Sequence, residues 1–251
     1  MDKMQLKSKE ELEIMLEGGR KLGRVKHALA KMVKVGVSAY DIEEEACRLI
    51  LAEGAQVSFK MVPRYHWATC ININDGIVHG IPKREMIFKK GDIVSVDVGL
   101  FYKGFHTDTS LTVGLDLSPE LNHFLEVGQR TLNNAIKQVK KGNRIYDISE
   151  AIDKTLKEEG LHAAQGLVGH GVGRSLHENP SIPGYLDKKR EQTPEIEIGA
   201  ALAVEVMYTT GNGEIALDDD GWTIVTRDGT ISALFEETIL VTEKGPIVAT
   251  K

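Results

Sequence analysis

Cysteine is scarce in this 251-residue chain, which has only Cys47 and Cys70. Two cysteines supply neither a disulfide framework nor the paired spacing of a thiolate zinc site, so a reducing compartment is expected. No segment approaches the roughly 18 uninterrupted apolar residues of a membrane span. Residues Met1 to Glu13 alternate charge with isolated apolar positions and lack the apolar core of a signal peptide. The expectation is a cytoplasmic protein with no membrane partner. There is no long basic run and the net charge is −6, which argues against nucleic acid as a direct partner; the short cluster Lys188-Lys189-Arg190 reads as solvated loop. Familiar nucleophile and phosphate motifs are missing as well. There is no Gly-x-Ser-x-Gly elbow and no Gly-x-x-x-x-Gly-Lys loop. The glycines around His170 (Gly166, Gly169, Gly171, Gly173) lack the downstream acid of a dinucleotide fold and read better as close backbone approach beside a histidine.

What the chain does contain is acid in apolar surroundings. Asp97 lies inside the β-rich run Ile93-Val94-Ser95-Val96-Asp97-Val98, where an ionised carboxylate is too costly to bury without a cation. Asp108 follows eleven residues later, and Gly99 to Gly104 reads as a hairpin turn that brings the two acids side by side. Like charges held together require a proton or a multivalent cation between them.

Helix signals are clear. Ser8 and Glu11 form a capping-box pattern, Ser38 opens a helix that Gly54 ends, and Ser118-Pro119-Glu120 opens another running to about Val139. The chain also repeats itself. Val33-Lys34, Gly36, Tyr40-Asp41-Ile42, Glu44 and Glu53-Gly54 recur 106 residues on as Val139-Lys140, Gly142, Tyr146-Asp147-Ile148, Glu150 and Glu159-Gly160. At an offset of 108, Gly91 and Val96-Asp97-Val98 match Gly199 and Val204-Glu205-Val206, so each half carries one acid at the same strand position. A looser match pairs His79-Gly80 with His170-Gly171, and Glu236 and Glu237 follow the Glu205 strand much as Asp108 follows Asp97. These matches imply an α+β fold built from duplicated α/β units, with a mixed, curved sheet and helices on its outer face. No linker composition separates the halves, so one catalytic domain over 1–251 is expected, with pseudo-symmetric halves of about 1–117 and 118–251.

Asp97, Asp108, Glu205 and Glu236, with one or more of His79, His170 and His177, make an oxygen-rich donor set suited to Co, Mn, Fe or Zn as divalent ions. Four carboxylates exceed the charge of one divalent ion, so two metal ions are inferred. Such a pair lowers the pKa of a shared water and polarises a carbonyl, which is the equipment for amide hydrolysis without a Ser or Cys nucleophile. Glu205 is a candidate proton shuttle.

Taken in order, Cys70-Ile-Asn-Ile-Asn-Asp-Gly-Ile-Val-His79-Gly-Ile-Pro82, Asp97, Gly104-Phe-His-Thr-Asp108-Thr-Ser110, Gly169-His170-Gly-Val-Gly-Arg-Ser-Leu-His177-Glu-Asn-Pro180, Glu205 and Ser232-Ala-Leu-Phe-Glu236-Glu-Thr238 resemble the type I methionine aminopeptidases of the pita-bread fold. The resemblance covers essentially the whole chain. It implies a mainly antiparallel curved sheet and a dinuclear centre with Asp97, Asp108, His170, Glu205 and Glu236 as ligands, Asp108 and Glu236 bridging. It further implies that His79 and His177 contact the substrate amide and stabilise the tetrahedral intermediate. The implied reaction removes an N-terminal methionine from nascent polypeptides when the next residue is small. The implied partners are peptide N-termini and the ribosome, with the chain as a monomer. An apolar methionine pocket is assigned to Phe59, Tyr65, Cys70, Leu176 and Trp222.

The chain departs from the family pattern near these residues. Val206 stands where proline usually follows the glutamate ligand, Glu237 where histidine often follows the last ligand, and Val62 and Leu176 at two commonly aromatic positions. Glu237 resembles the acid found there in Xaa-Pro aminopeptidases and dipeptidases of the same fold, which makes a proline-directed or otherwise shifted-specificity metallopeptidase the alternative. A non-catalytic peptide-binding module is a further alternative, set against the presence of all five ligand positions.

Overall fold

The computed structural model describes residues 3–251. Helix α1 (Lys9–Met32) starts where Ser8 Oγ accepts the Glu11 N–H while the Glu11 carboxylate accepts the Ser8 N–H, so two otherwise orphaned amides are satisfied. Ser38 and Asp41 form the same reciprocal cap on α2 (Ala39–Ala52), which ends at Gly54 in the left-handed region. Helix α3 (Pro119–Ile136) has Ser118 as cap and Pro119 in its first turn. It stops short of Val139, because the Asn143 side-chain amide donates to the Gln138 carbonyl and turns the chain there. Helix α4 (Ile145–Glu158) is the repeat of α2, with the Asp147 carboxylate accepting the Arg144 N–H.

The strands in chain order are β1 (Gln56–Val57), β2 (Thr69–Ile73), β3 (Gly76–Val78), β4 (Ile93–Tyr102), β5 (Phe105–Gly114), β6 (His162–Ala163), β7 (Val168–Gly171), β8 (Glu178–Pro183), β9 (Ala201–Thr209), β10 (Ile215–Leu217), β11 (Ile224–Thr226), β12 (Ser232–Thr242) and β13 (Gly245–Val248). One large sheet runs β1-β4-β5-β12-β9-β7-β8, with β2 also on β4, β6 also on β9, and β13 also on β12. A small sheet, β10-β11-β3, stands apart from it. Among the described residues all strand pairings are antiparallel, which corrects the mixed sheet expected from the repeat: the strands of each half are joined by hairpins and ladders, with no parallel pair.

The halves meet where β5 lies against β12, and the sequence repeat reappears as matching backbone geometry. Gly36 N–H donates to the Phe88 carbonyl, and Gly142 N–H to that of Ile196. Ala39 N–H reaches Met86, and Ile145 N–H reaches Pro194. The matched glycines share positive φ: 89° and 87° for Gly36 and Gly142, 89° and 94° for Gly91 and Gly199. This is the duplicated, pita-bread architecture that the repeat and the resemblance imply.

Alternation along the strands divides the sheet into two faces. Val94, Val96 and Val98 pack with Ile42, Ala46 and Ile50 under α1 and α2; Val204, Val206, Phe235 and Ile239 pack with Val127, Ile148 and Ile152 under α3 and α4. Each such Val, Ile or Phe side chain, fully buried, contributes about 1.5–3 kcal/mol. The opposite face carries the acids.

The turn between β4 and β5 corrects the predicted hairpin. It is Lys103-Gly104 alone, both at positive φ (47° and 92°), a two-residue turn whose twist suits the flanking strands. Gly99 therefore lies inside β4, opposite Asp108, and Asp97 pairs with Ser110. The two aspartates are diagonal neighbours on one face, two residues out of register.

Candidate metal centre and substrate cleft

The acids are collected by register. Cys70 on β2 pairs with Asp97 on β4, Asp97 with Ser110 on β5, Ser110 with Glu236 on β12, and Glu236 with Glu205 on β9. Directly opposed residues in a ladder point to the same face, so five adjacent strands present one row: Cys70, Asp97, Ser110, Glu236, Glu205. Asp108 stands two residues from Ser110, and His170 on β7 opposes Ala203, two residues from Glu205; both fall on the same face. Side chains spread from Cys70 to Glu236 in sequence become one patch.

Asp108, His170 and Glu236 are buried, and one donor atom from each lies within 4.8 Å of the others. Asp97 and Glu205 flank this trio along the row and keep some exposure to the cleft, with Glu205 Oε1 3.8 Å from His170 Nε2. Among the described residues, no Lys or Arg forms an ion pair with any of the four carboxylates. Asp97 Oδ1, Glu236 Oε1 and the Ser110 hydroxyl have no hydrogen-bond partner.

Burial and mutual repulsion account for the electrostatics. Desolvation, then the neighbouring Asp108 and Glu205 charges, push the Asp97 carboxyl well above its usual range. Burial and the same neighbours do so for Glu236, burial and Asp108 for Glu205, and burial raises Asp108 to about 7. Burial lowers His170 to about 3, so its ring is neutral. His170 Nδ1–H donates to the Gly171 carbonyl at 2.8 Å, which leaves the Nε2 lone pair facing the carboxylates. Unpartnered carboxylate oxygens beside an imidazole with a fixed tautomer fit hard or borderline divalent ions.

The trio is braced from behind. Thr109 N–H donates to Asp108 Oδ1 at 3.0 Å, and Thr238 Oγ1 both accepts from the Asp108 N–H and donates to its carbonyl. Alternation could have flagged Ser110, two residues beyond Asp108. Thr238 lacked such a signal, because its partner is 130 residues away.

Cys70, Asp97, Glu236 and Glu205 of the row, with Asp108 and His170, form the floor of a cleft of about 140 Å³ that opens to solvent. His79 and His177 also line it, and desolvation holds both below the ordinary imidazole value, with the neighbouring His177 adding to the shift of His79. The His177 ring meets that of His170 edge-on at 4.4 Å. His79 is held at φ 60°, where the next residue, Gly80, donates its N–H to Asn72 Oδ1 and its carbonyl accepts from Ile71. The other end is apolar. Phe59, Tyr65, Cys70 and Leu176 cluster there with Val62, Trp67 and Trp222, and Tyr65 O–H donates to the Thr69 carbonyl. All five residues assigned from sequence to an apolar pocket line this cleft, together with Val62 and Val78.

Two departures from the family pattern lie away from it. Val206 is buried on the helix face, and Glu237, one residue after Glu236, also points there, where it pairs with Lys26 of α1 at 2.5 Å.

The sequence from residue 13 to 243 matches the model of metallopeptidase family M24. The chain belongs to that family. A methionine aminopeptidase of Aquifex aeolicus is 36% identical over 99% of both chains, and methionine aminopeptidase 1 of Bacillus subtilis is 36% identical over 98% of both. The crystal structure of methionine aminopeptidase from Thermotoga maritima superposes with a TM-score of 0.95 at 36% identity, covering 99% of this chain and 100% of that one. Prolidase from Pyrococcus furiosus, at 20% identity and a TM-score of 0.77, shares the fold. This M24 chain is thus a metalloaminopeptidase on the methionine aminopeptidase branch, and its family uses divalent metal.

Proposed function

We propose that this M24 enzyme removes the initiator methionine from nascent polypeptides in the cytoplasm, with 1–251 acting as one catalytic unit of two pseudo-symmetric halves. The observation that carries the reading is the row Asp97, Ser110, Glu236, Glu205, in register across four strands and ending beside an apolar pocket. In this reading Asp97, Asp108, His170, Glu205 and Glu236 would hold two divalent ions; four negative charges balance two such ions. Ions bound there would polarise the scissile carbonyl and acidify a water.

The protein's own groups do the rest. Glu205, flanking the trio, carries a proton from the attacking water towards the leaving amine. His79 and His177, neutral at pH 7, offer ring N–H groups to the substrate amide and to the charge that develops on it. The pocket of Phe59, Tyr65, Cys70, Leu176 and Trp222 takes an unbranched thioether side chain by apolar contact, and the soft sulfur suits the aromatic edges of Tyr65 and Trp222.

The test is a panel of Met-Xaa-Ser peptides assayed with Mn(II)- or Co(II)-reconstituted protein. Methionine is expected to be released when Xaa is Gly, Ala or Ser and not when it is Leu or Lys. Equal release across the panel would refute a role restricted to processing initiator methionine before small residues.

A further inference from the structure

Between its two histidines the chain leaves β7 at Gly171 and re-enters the ladder opposite that residue at Glu178. His177 sits on the connection, and its ring has no hydrogen-bond partner among the described residues, so its place is set by the backbone that carries it. That backbone is fastened by one carboxylate. Glu178 Oε1 accepts the Ser175 N–H at 3.1 Å, closing the turn that bears His177, while Glu178 Oε2 is 2.5 Å from Lys7 Nζ.

Lys7 lies ahead of α1, 171 residues away in sequence, and both side chains are buried. The lysine is held in turn: its N–H donates to the Gly199 carbonyl and its ammonium to the Gln5 carbonyl. Its stem passes directly over Gly173, where a Cβ would come within 2.4 Å of Lys7 Cε. Only glycine permits that approach. Arg174 makes a second tie to the N-terminal segment through Glu11, and the Gly173 carbonyl accepts the His106 N–H. A buried charge pair is a costly way to gain stability alone. Its geometry is better suited to fixing a direction.

We propose that Lys7 and Glu178 are positioning residues for His177: their buried ion pair locks turn 175–178 onto the N-terminal segment and sets where the imidazole meets the substrate. The inference rests on the reading of His177 as a substrate contact.

The experiment is a double-mutant cycle on the Mn(II)-loaded enzyme with Met-Ala-Ser, using Lys7→Met, Glu178→Gln and His177→Ala singly and in pairs. Lys7→Met and Glu178→Gln are each expected to lower kcat about tenfold or more with KM changed less than about twofold, as loss of orientation does. Combined with His177→Ala, neither should lower kcat further. In the metal-free protein, the His177 ring resonance should shift in both variants while that of His123 on α3 stays in place. Full multiplication of the two effects, or an unmoved His177 resonance, would overturn the proposal. If Lys7→Met does not fold, Glu178→Gln, which keeps an acceptor for Ser175, decides the matter by the same cycle. If His177→Ala is itself without effect, the role assigned to His177 has failed rather than its positioning.

Discussion

Glu205 and Glu236 face each other directly across the β9–β12 ladder, with their side chains on the same side of the sheet. Like charges so placed oppose folding. With Glu236 buried, Glu205 half-buried, and Asp97 and Asp108 beside them, the cluster costs stability unless protons or a cation neutralise it.

Replacing Glu236 with Gln removes one uncompensated carboxylate while keeping its shape. The metal-free protein should become more stable, by roughly 0.5–2 kcal/mol, which raises its thermal midpoint by about 2–4 °C per kcal/mol in a chain of this size. The stabilisation that added Mn(II) gives the unaltered protein should largely vanish. Calorimetry with and without metal measures both.

Lys26 and Glu237 form an ion pair at 2.5 Å on the helix side of the sheet, reinforced by Thr109 Oγ1 and Thr250 Oγ1. Lys26→Met leaves a part-buried acid without its cation, and a loss on the order of 3 kcal/mol is expected from chemical denaturation. The ranking of peptide substrates should not change, because Glu237 does not reach the cleft. A shift towards Ala-Pro substrates in Glu237→Gln or Lys26→Met would assign the acid a role in specificity.

Leu176 helps close the apolar end of the cleft, 8% exposed. Leu176→Ala should weaken discrimination between methionine and smaller first residues by roughly 10–200-fold in kcat/KM, the range for pocket contacts of this size. Peptides beginning with Met, Leu and Ala read it out.

Asp220 organises the loop that carries Trp222. Desolvation pushes its carboxyl up, but the Thr223 and Trp222 N–H groups, the Thr223 hydroxyl and Lys83 outweigh it and hold the value at about 2. A depressed folded-state value stabilises this loop above the unfolded value of about 3.9 and ceases to do so as pH falls through about 2. Tryptophan fluorescence should therefore hold steady down to about pH 4 and change below it, and Asp220→Asn should already show part of the change at neutral pH.

Much of this was legible in the sequence, and the reasons are local. An acid inside an apolar strand announces a counter-charge, and constant-offset identities from Val33 to Gly54 and from Gly91 to Val98 exposed the duplication that the matched hydrogen bonds at Gly36 and Gly142 display. Alternation alone puts Glu237 on the face opposite Glu236. What could not be read was which strands become neighbours. The row from Cys70 to Glu205 depends on β5 lying against β12, where Ser110 pairs with Glu236, and no periodicity encodes that contact. Gly99 looks like a turn residue, so the sequence overstates the span of the β4–β5 turn; its lack of a side chain instead admits Phe59, whose Cε1 lies 2.6 Å from where a Cβ would be. Lys7 and Glu178 were out of reach for the same reason as Thr238, since long-range polar pairs leave no mark on sequence spacing.

The most direct test of the account compares initial rates on Met-Ala-Ser, Ala-Pro and Lys-Pro for the purified protein, first stripped of metal and then reconstituted with Mn(II). The account predicts no turnover without metal and, with it, methionine release from Met-Ala-Ser that far exceeds cleavage of either proline substrate. Faster turnover of Ala-Pro or Lys-Pro, or release of methionine that persists in the stripped protein, would contradict it.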